Sequence, residues 1–320
     1  MKLYKLPIAL FAGAALFTFG TLNAATTDPV GYVSINIQGG GASSLISNGG
    51  LVQPGIAASG ASVATTTVTL PGASWIVDGF AGSHYVQLES GAWSAILSNS
   101  ETQLTIESSL GTVANTALTI RPLHTLNTLF GTTNSAGFTG GSGLGQADII
   151  AVFDQATQNF SGLYYYNTGS SEWQNSGNNT AGNTIVYPDE AIVVVGKTTK
   201  QITITGTVQT GTTSGSLAAV GETTLIPNTH PVDLKISESG YESFLIGGTG
   251  FGSADKVFVW DAAAQNFTGL YYYNSTADEW QTAANTTVTN TDVIPVGAAA
   301  VVVRANSGSD TWNLQQPFTL

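Results

Sequence analysis

The chain has 320 residues, enough for two or three domains. Its 20 acidic and 8 basic residues leave a formal charge of −12, which argues against nucleic acid, whose affinity rests on Lys and Arg neutralising phosphates, and against docking on an anionic lipid surface. There is no cysteine, so thiol catalysis, zinc–thiolate sites and disulfide staples are excluded.

In chain order, Met1–Ala24 reads as a secretory signal peptide. Lys2 and Lys5 supply the positive start, Leu6–Phe19 the apolar stretch and Leu22-Asn23-Ala24 the cleavage site. The expected location is secreted, extracellular or cell-envelope associated. No membrane span is expected after cleavage, because no later stretch reaches the roughly 20 apolar residues a spanning helix needs. Beyond it, Val30, Tyr32, Val33, Ile35 and Ile37 stand among small or polar residues as a first strand. Ala42–Ser62 is small, polar and punctuated by Gly and Pro, and reads as a long loop with at most one short strand. Short β-rich runs follow at Val63–Leu70, Ser74–Val77, His84–Leu88, Ala92–Leu97 and Gln103–Ile106. The most helix-like piece, Leu126–Phe130, amounts to one turn.

The next feature is a duplication. Gly140–Gln174 returns at Gly247–Gln281 with an offset of 107, no gap and 21 of 35 positions identical. Upstream the match is looser: Ile120–Leu126 (IRPLHTL) aligns with Ile226–Val232 (IPNTHPV) at an offset of 106, bringing His124 onto His230. Downstream, Pro188 coincides with Pro295, and the apolar runs Ala191–Val195 and Ala298–Val302 follow. Self-similarity at a fixed spacing marks a repeat architecture. The expectation is an all-β chain: signal peptide 1–24, N-terminal β segment 25–115, β repeat 116–209, linker 210–221 and second β repeat 222–320. The two homologous repeats are expected to be β-sandwich or barrel-like units, since two copies are too few for a propeller.

Within the second copy, Asp255–Asp261, Asn266–Asn274 and Glu279–Thr282 read as a meander. Period two puts Tyr271 and Tyr273 on one face and Tyr272 on the other, with Trp280 paired across the hairpin to one of these tyrosines. The first copy repeats this with Tyr164, Tyr165, Tyr166 and Trp173. Tyr164, Tyr166, Trp173, Tyr271, Tyr273 and Trp280 are therefore candidates to stack on sugar rings. The competing reading is that they are core. Asp148/Asp255, Asp154/Asp261 and Glu172/Glu279 recur in both copies. Asp154 and Asp261 are candidate calcium ligands in an acidic chain, or turn residues bonding their own backbone.

The glycine spacings of GGSGLGQAD and GGTGFGSAD precede a strand rather than a helix, and no Lys-Ser/Thr closes a phosphate loop, so they read as tight turns. His84, His124 and His230 show no metal-ligand spacing and read as surface or hydrogen-bonded core histidines. No G-x-S-x-G elbow is present. No catalytic residue and, calcium apart, no cofactor is expected.

Three stretches together resemble an uncharacterised family of secreted β-rich proteins of verrucomicrobial bacteria. They are DPVGYV at Asp28–Val33, YVQLESGAWSAILSNSETQLTI at Tyr85–Ile106 and IRPLHTLNTLFG at Ile120–Gly131. The resemblance implies secretion and a β-rich fold and supplies no catalytic residue; the chain departs from it in its clear duplicated YYYN hairpin, which is read from this sequence and not from the family. The expected function is a non-enzymatic structural or interaction protein of the bacterial cell surface or extracellular matrix, partnered by itself or by other surface proteins. The alternative is a carbohydrate-binding protein that meets glycans with its duplicated Tyr/Trp hairpins.

Overall fold

The computed structural model describes residues 29–315. The expected signal peptide, Asp28 of the DPVGYV stretch and the end of the C-terminal QQPFTL segment lie outside the described residues.

The chain is all-β. It opens with β1 (Val30–Ile37), β2 (Ala42–Ile46) and β3 (Leu51–Val52). Six strands follow: β4 (Ile56–Ala64), β5 (Thr67–Thr69), β6 (His84–Leu88), β7 (Trp93–Asn99), β8 (Gln103–Ile106) and β9 (Thr112–Pro122). Then come β10 (His124–Thr125), the short helix α1 (Leu126–Phe130), β11 (Ile149–Asp154), β12 (Asn159–Asn167), β13 (Glu172–Asn175), β14 (Ile185–Val186), β15 (Ile192–Gly196) and β16 (Lys200–Val208). The last third holds β17 (Thr213–Ser216), β18 (Thr223–Pro227), β19 (Leu234–Lys235), β20 (Lys256–Asp261), β21 (Asn266–Asn274), β22 (Glu279–Thr282), β23 (Val293–Ile294), β24 (Ala299–Val303) and β25 (Thr311–Leu314). Two 3-10 turns, Ile236–Glu238 and Tyr241–Ser243, precede β20. No helix among the described residues is long and apolar enough to cross a membrane.

β4 to β9 close into a barrel in the order β4-β5-β8-β7-β6-β9. Period-two patterning builds it: in β8, Leu104 and Ile106 point inward while Gln103 and Thr105 face solvent. Val63, Val68, Val86, Ile96 and Ile120 fill the interior with them, and closure leaves no edge strand. Ser74–Val77, expected as a strand, lies outside the ladder after the Pro71-Gly72 turn. It is held by Trp75 N–H donating to the Glu101 carbonyl at 3.0 Å.

Two five-stranded antiparallel sheets make up most of the remainder. Their orders are β13-β12-β11-β15-β2 and β22-β21-β20-β24-β18. The second reproduces the first strand for strand. Ile150 faces Tyr164 as Val257 faces Tyr271, and each ladder bulges at one place, between Val152 and Phe153 and between Val259 and Trp260.

Strand pairing runs across the expected boundary at 115/116. β2 pairs with β15, from Ala42↔Gly196 to Ile46↔Ile192. β1 and β3 flank β16, whereas β9 carries Thr116–Pro122 into the barrel. The expected loop Ala42–Ser62 therefore contains β2, β3 and most of β4. Its Ala-Ser-Ser composition has little intrinsic β preference, and its partners are remote in sequence, so the ladder overrides local propensity. The alignment of His124 with His230 is not reproduced either: His124 pairs with Val186, but Leu234 takes that place against Ile294.

Each five-stranded sheet packs its inner face on a smaller one. Ile150 and Val194 meet Ile35, Ile37, Ile202 and Ile204 of the β1-β16-β3 sheet, sealed by Leu126 and Phe130 of α1. A capping box, Thr125 with Thr128, starts that helix. In the second sheet, Val257 and Val302 meet Trp312 and Leu314 of the β17–β25 pair, with Tyr241 and Phe244 closing the end.

Candidate functional site

The duplicated hairpins bring their aromatic residues together, inside the protein. Tyr166 faces Trp173 and Tyr273 faces Trp280 across the strands. The ring centroids are 5.4 and 5.7 Å apart and meet edge to face, an attractive geometry for opposed quadrupoles. Trp173 is 1% and Trp280 5% exposed. Tyr166 and Tyr271 are buried, and Tyr164 and Tyr273 are half-buried against the two cores. The Trp173 indole N–H donates to the Gly131 carbonyl at 2.9 Å, and that of Trp280 to Glu242 Oε2 at 3.0 Å. Tyr273 donates its hydroxyl to Asp278 Oδ1, a bond to a carboxylate that pushes the phenol up to about 12. These hairpins present no indole face on which a sugar ring would stack. The inward face of each hairpin belongs to the core, and Tyr165 and Tyr272 on the opposite face are buried too.

The recurring carboxylates are bound to backbone and neighbouring side chains. Asp148 is buried and accepts the N–H groups of Thr139 and Lys197, each at 2.6 Å, while Lys200 Nζ lies 2.6 Å from its Oδ2. Asp255 accepts from Ile246, Ala305 and Asn306 at 2.8, 2.8 and 3.1 Å. A buried carboxylate is tolerated only with such partners. Asp154 Oδ1 accepts the N–H groups of Ala156 and Thr157, and Asp261 Oδ1 those of Ala263 and Ala264. These are Asx turns. Hydrogen bonding at Thr157 holds Asp154 below the usual carboxylate range. Glu172 and Glu279 accept from Gln174 and Thr180, and from Gln281 and Thr287. Among the described residues, no three His, Asp or Glu side chains gather in a way that would hold a metal ion; Asp154 and Asp261, the candidate calcium ligands, each form an Asx turn.

Of the histidines, His124 donates from Nε2 to the Leu51 carbonyl at 2.9 Å. His84 Nδ1 lies 2.8 Å from Ser83 Oγ. His230 departs from expectation: it is buried with neither ring nitrogen hydrogen-bonded, and burial pushes it down to about 4.

A feature that the sequence reading missed lies where the two five-stranded sheets meet. Gln158 Nε2 donates to the Thr223 carbonyl at 2.9 Å, and Thr223 N–H donates back to Gln158 Oε1 at 2.8 Å. Gln265 does the same to Ser43, at 2.8 Å in both directions. The two glutamines align at the 107-residue offset, and both sit in the left-handed region, with φ of 53° and 52°. Ser43 lies on β2 and Thr223 on β18, the end strands of the two sheets, so a turn of each sheet covers the edge of the other.

Three openings lie along this junction. The central one is an apolar groove of about 490 Å³ between the two sheets. One flanking cleft, about 460 Å³, includes Val296 and Gly297. The other, about 650 Å³, carries Asp154, Asp189, Glu190 and Glu222. Burial pushes Asp189 up to about 6. Burial, reinforced by the charges of Asp189 and Asp154, pushes Glu190 up to about 7. Tyr187, beside them, stacks on Trp93 of the barrel at 5.7 Å. Asp189 and Glu190 stand 107 residues before Val296 and Gly297. The positions at which the copies differ were the available signal for this cleft. The signal for the groove was the unbroken apolar runs of β15 and β24, which call for cover on both faces.

No family model matches the chain, and neither a curated protein nor a solved structure matches it.

Proposed function

We propose that this chain is a secreted, non-enzymatic structural or interaction protein of the bacterial cell surface or extracellular matrix. In this reading two copies of one duplicated β unit carry the barrel as an insertion in the first copy, and self-association runs through strand β1. The resemblance to secreted verrucomicrobial proteins is in keeping with it.

The observation that carries the reading is the free edge of β1. Among the described residues the strand ends its sheet, with β16 on one side only. The Val208 N–H donates to the Pro29 carbonyl at 2.7 Å, so in the alternating antiparallel pattern Gly31, Val33, Ile35 and Ile37 face β16. Val30, Tyr32, Ser34 and Asn36 turn their N–H and C=O groups outward. Val30 is 80% and Tyr32 71% exposed. The sequence VGYVSINI holds no charge and no proline, the devices with which proteins usually blunt an edge. In a chain of formal charge −12, an uncharged edge is where a second copy approaches at least electrostatic cost.

Negative-stain imaging of the purified mature chain tests the reading. It expects filaments, sheets or closed oligomers. A field of isolated single molecules at every concentration would count against it. The glycan alternative gains nothing from the placement of its six aromatic residues.

A further inference from the structure

The central groove is built from the outer faces of both five-stranded sheets. Val193 of the first sheet and Val301 of the second line it together with aromatic side chains from each. Four of these are brought in by the paired bulges: Phe153 and Phe160 meet edge-on at 5.8 Å in the first sheet, and Trp260 and Phe267 at 5.1 Å in the second. Bulges re-aim side chains and concentrate beside functional sites. Here the same bulge at the same place turns an aromatic residue toward the groove from both sides. The mouth of the groove opens to solvent, where Phe160 is 46% and Phe267 41% exposed. The other apolar contributors are half-buried, so the apolar surface is continuous.

We infer that this groove is a binding site for one small, uncharged, apolar molecule of hydrocarbon or aromatic character. Its volume of about 490 Å³ falls in the range of small-ligand pockets, roughly 300–1,000 Å³. It has two walls, which favours a slender ligand over a flat protein face. No charged residue lines it; its polar members are Ser43, Thr223 and Gln265. A carboxylate or ammonium group entering it would lose hydration and meet no opposite charge. The Gln265–Ser43 exchange fixes the spacing of the walls without a ligand, so the site is largely pre-formed. The inference is independent of the assembly reading above, which concerns β1.

The test is a fluorescence titration of the purified mature chain with N-phenyl-1-naphthylamine, an uncharged apolar dye. The expected result is saturable one-site binding with enhanced, blue-shifted emission. The double variant Phe160→Ser/Phe267→Ser weakens it at least tenfold, and Leu97→Ser, on an exposed barrel position, leaves it unchanged. Should the double variant not melt cooperatively, Trp260→Phe replaces it, and energy transfer from tryptophan to bound dye then falls. The anionic dye 8-anilinonaphthalene-1-sulfonate binds more weakly than the neutral one. Absence of saturable binding would overturn the inference, as would affinity indifferent to the groove variants or a preference for the anionic dye. A dimer that the double variant dissociates would make the groove a protein interface instead, which also overturns it.

Discussion

Gln158 reaches Thr223 with both ends of its amide, donating to its carbonyl at 2.9 Å and accepting from its N–H at 2.8 Å. A side-chain amide thus completes a strand edge as another strand would. Gln265 repeats the contact on Ser43, so the two sheets hold each other reciprocally, as the halves of an isologous dimer do.

Replacing Gln158 by Ala removes two such bonds at a partly buried edge. At about 1 kcal/mol per bond, the expected cost is about 1–2 kcal/mol, read as a lower urea midpoint at unchanged slope. Gln265→Ala should cost a similar amount. The contacts share no partner, so the double variant should show the sum.

Trp173→Ala and Trp280→Ala should each cost about 3–5 kcal/mol, the range for emptying an aromatic core site. Denaturant titration measures it. A pair of surface-exposed, glycan-stacking tryptophans would change stability by only a few tenths.

Asp189 is strained at neutral pH. Its folded pKa is raised, from 3.8 to about 6, so the folded state binds the proton more tightly than the unfolded state. Stability is lost as pH rises through this window. Asp189→Asn removes the penalty. It should stabilise the protein by about 1–2 kcal/mol above pH 6, allowing for solvent screening, and by nothing near pH 3.5. Melting curves across pH check this.

His230 works in the opposite direction. Its folded pKa is lowered, from 6.5 to about 4, so the unfolded state protonates first as pH falls. Wild type should lose about 2–3 kcal/mol relative to His230→Leu between pH 7 and 4. Taking the difference between the two proteins cancels the contribution of Asp189 and Glu190.

Calcium removal should leave the melting temperature unchanged, because Asp154 and Asp261 spend Oδ1 on turn N–H groups. A chelator titration followed by calorimetry reads this directly.

Local pattern carried much of this fold. Asn266–Asn274, Glu279–Thr282 and the single turn at Leu126–Phe130 are legible from period and punctuation alone. What was not legible depends on remote partners. Nothing in ASSLI says that it borders Val193 and Val194, and the barrel's last strand runs through residues that align with the start of the repeat. The aromatic hairpins were visible as a motif, but whether they face core or solvent is decided by the sheet behind them. The groove and the acidic cleft arise only when the two sheets meet, so no single stretch encodes them.

The most direct test of the account is light scattering of the mature chain beside Ser34→Pro. Ser34 turns its N–H to the free edge of β1, so proline there removes an edge donor without taking a bond from β16. Wild type should assemble with rising concentration, whereas Ser34→Pro should keep its circular dichroism but stay monomeric. A wild type that is monomeric throughout, or a Ser34→Pro protein that assembles equally well, would contradict this.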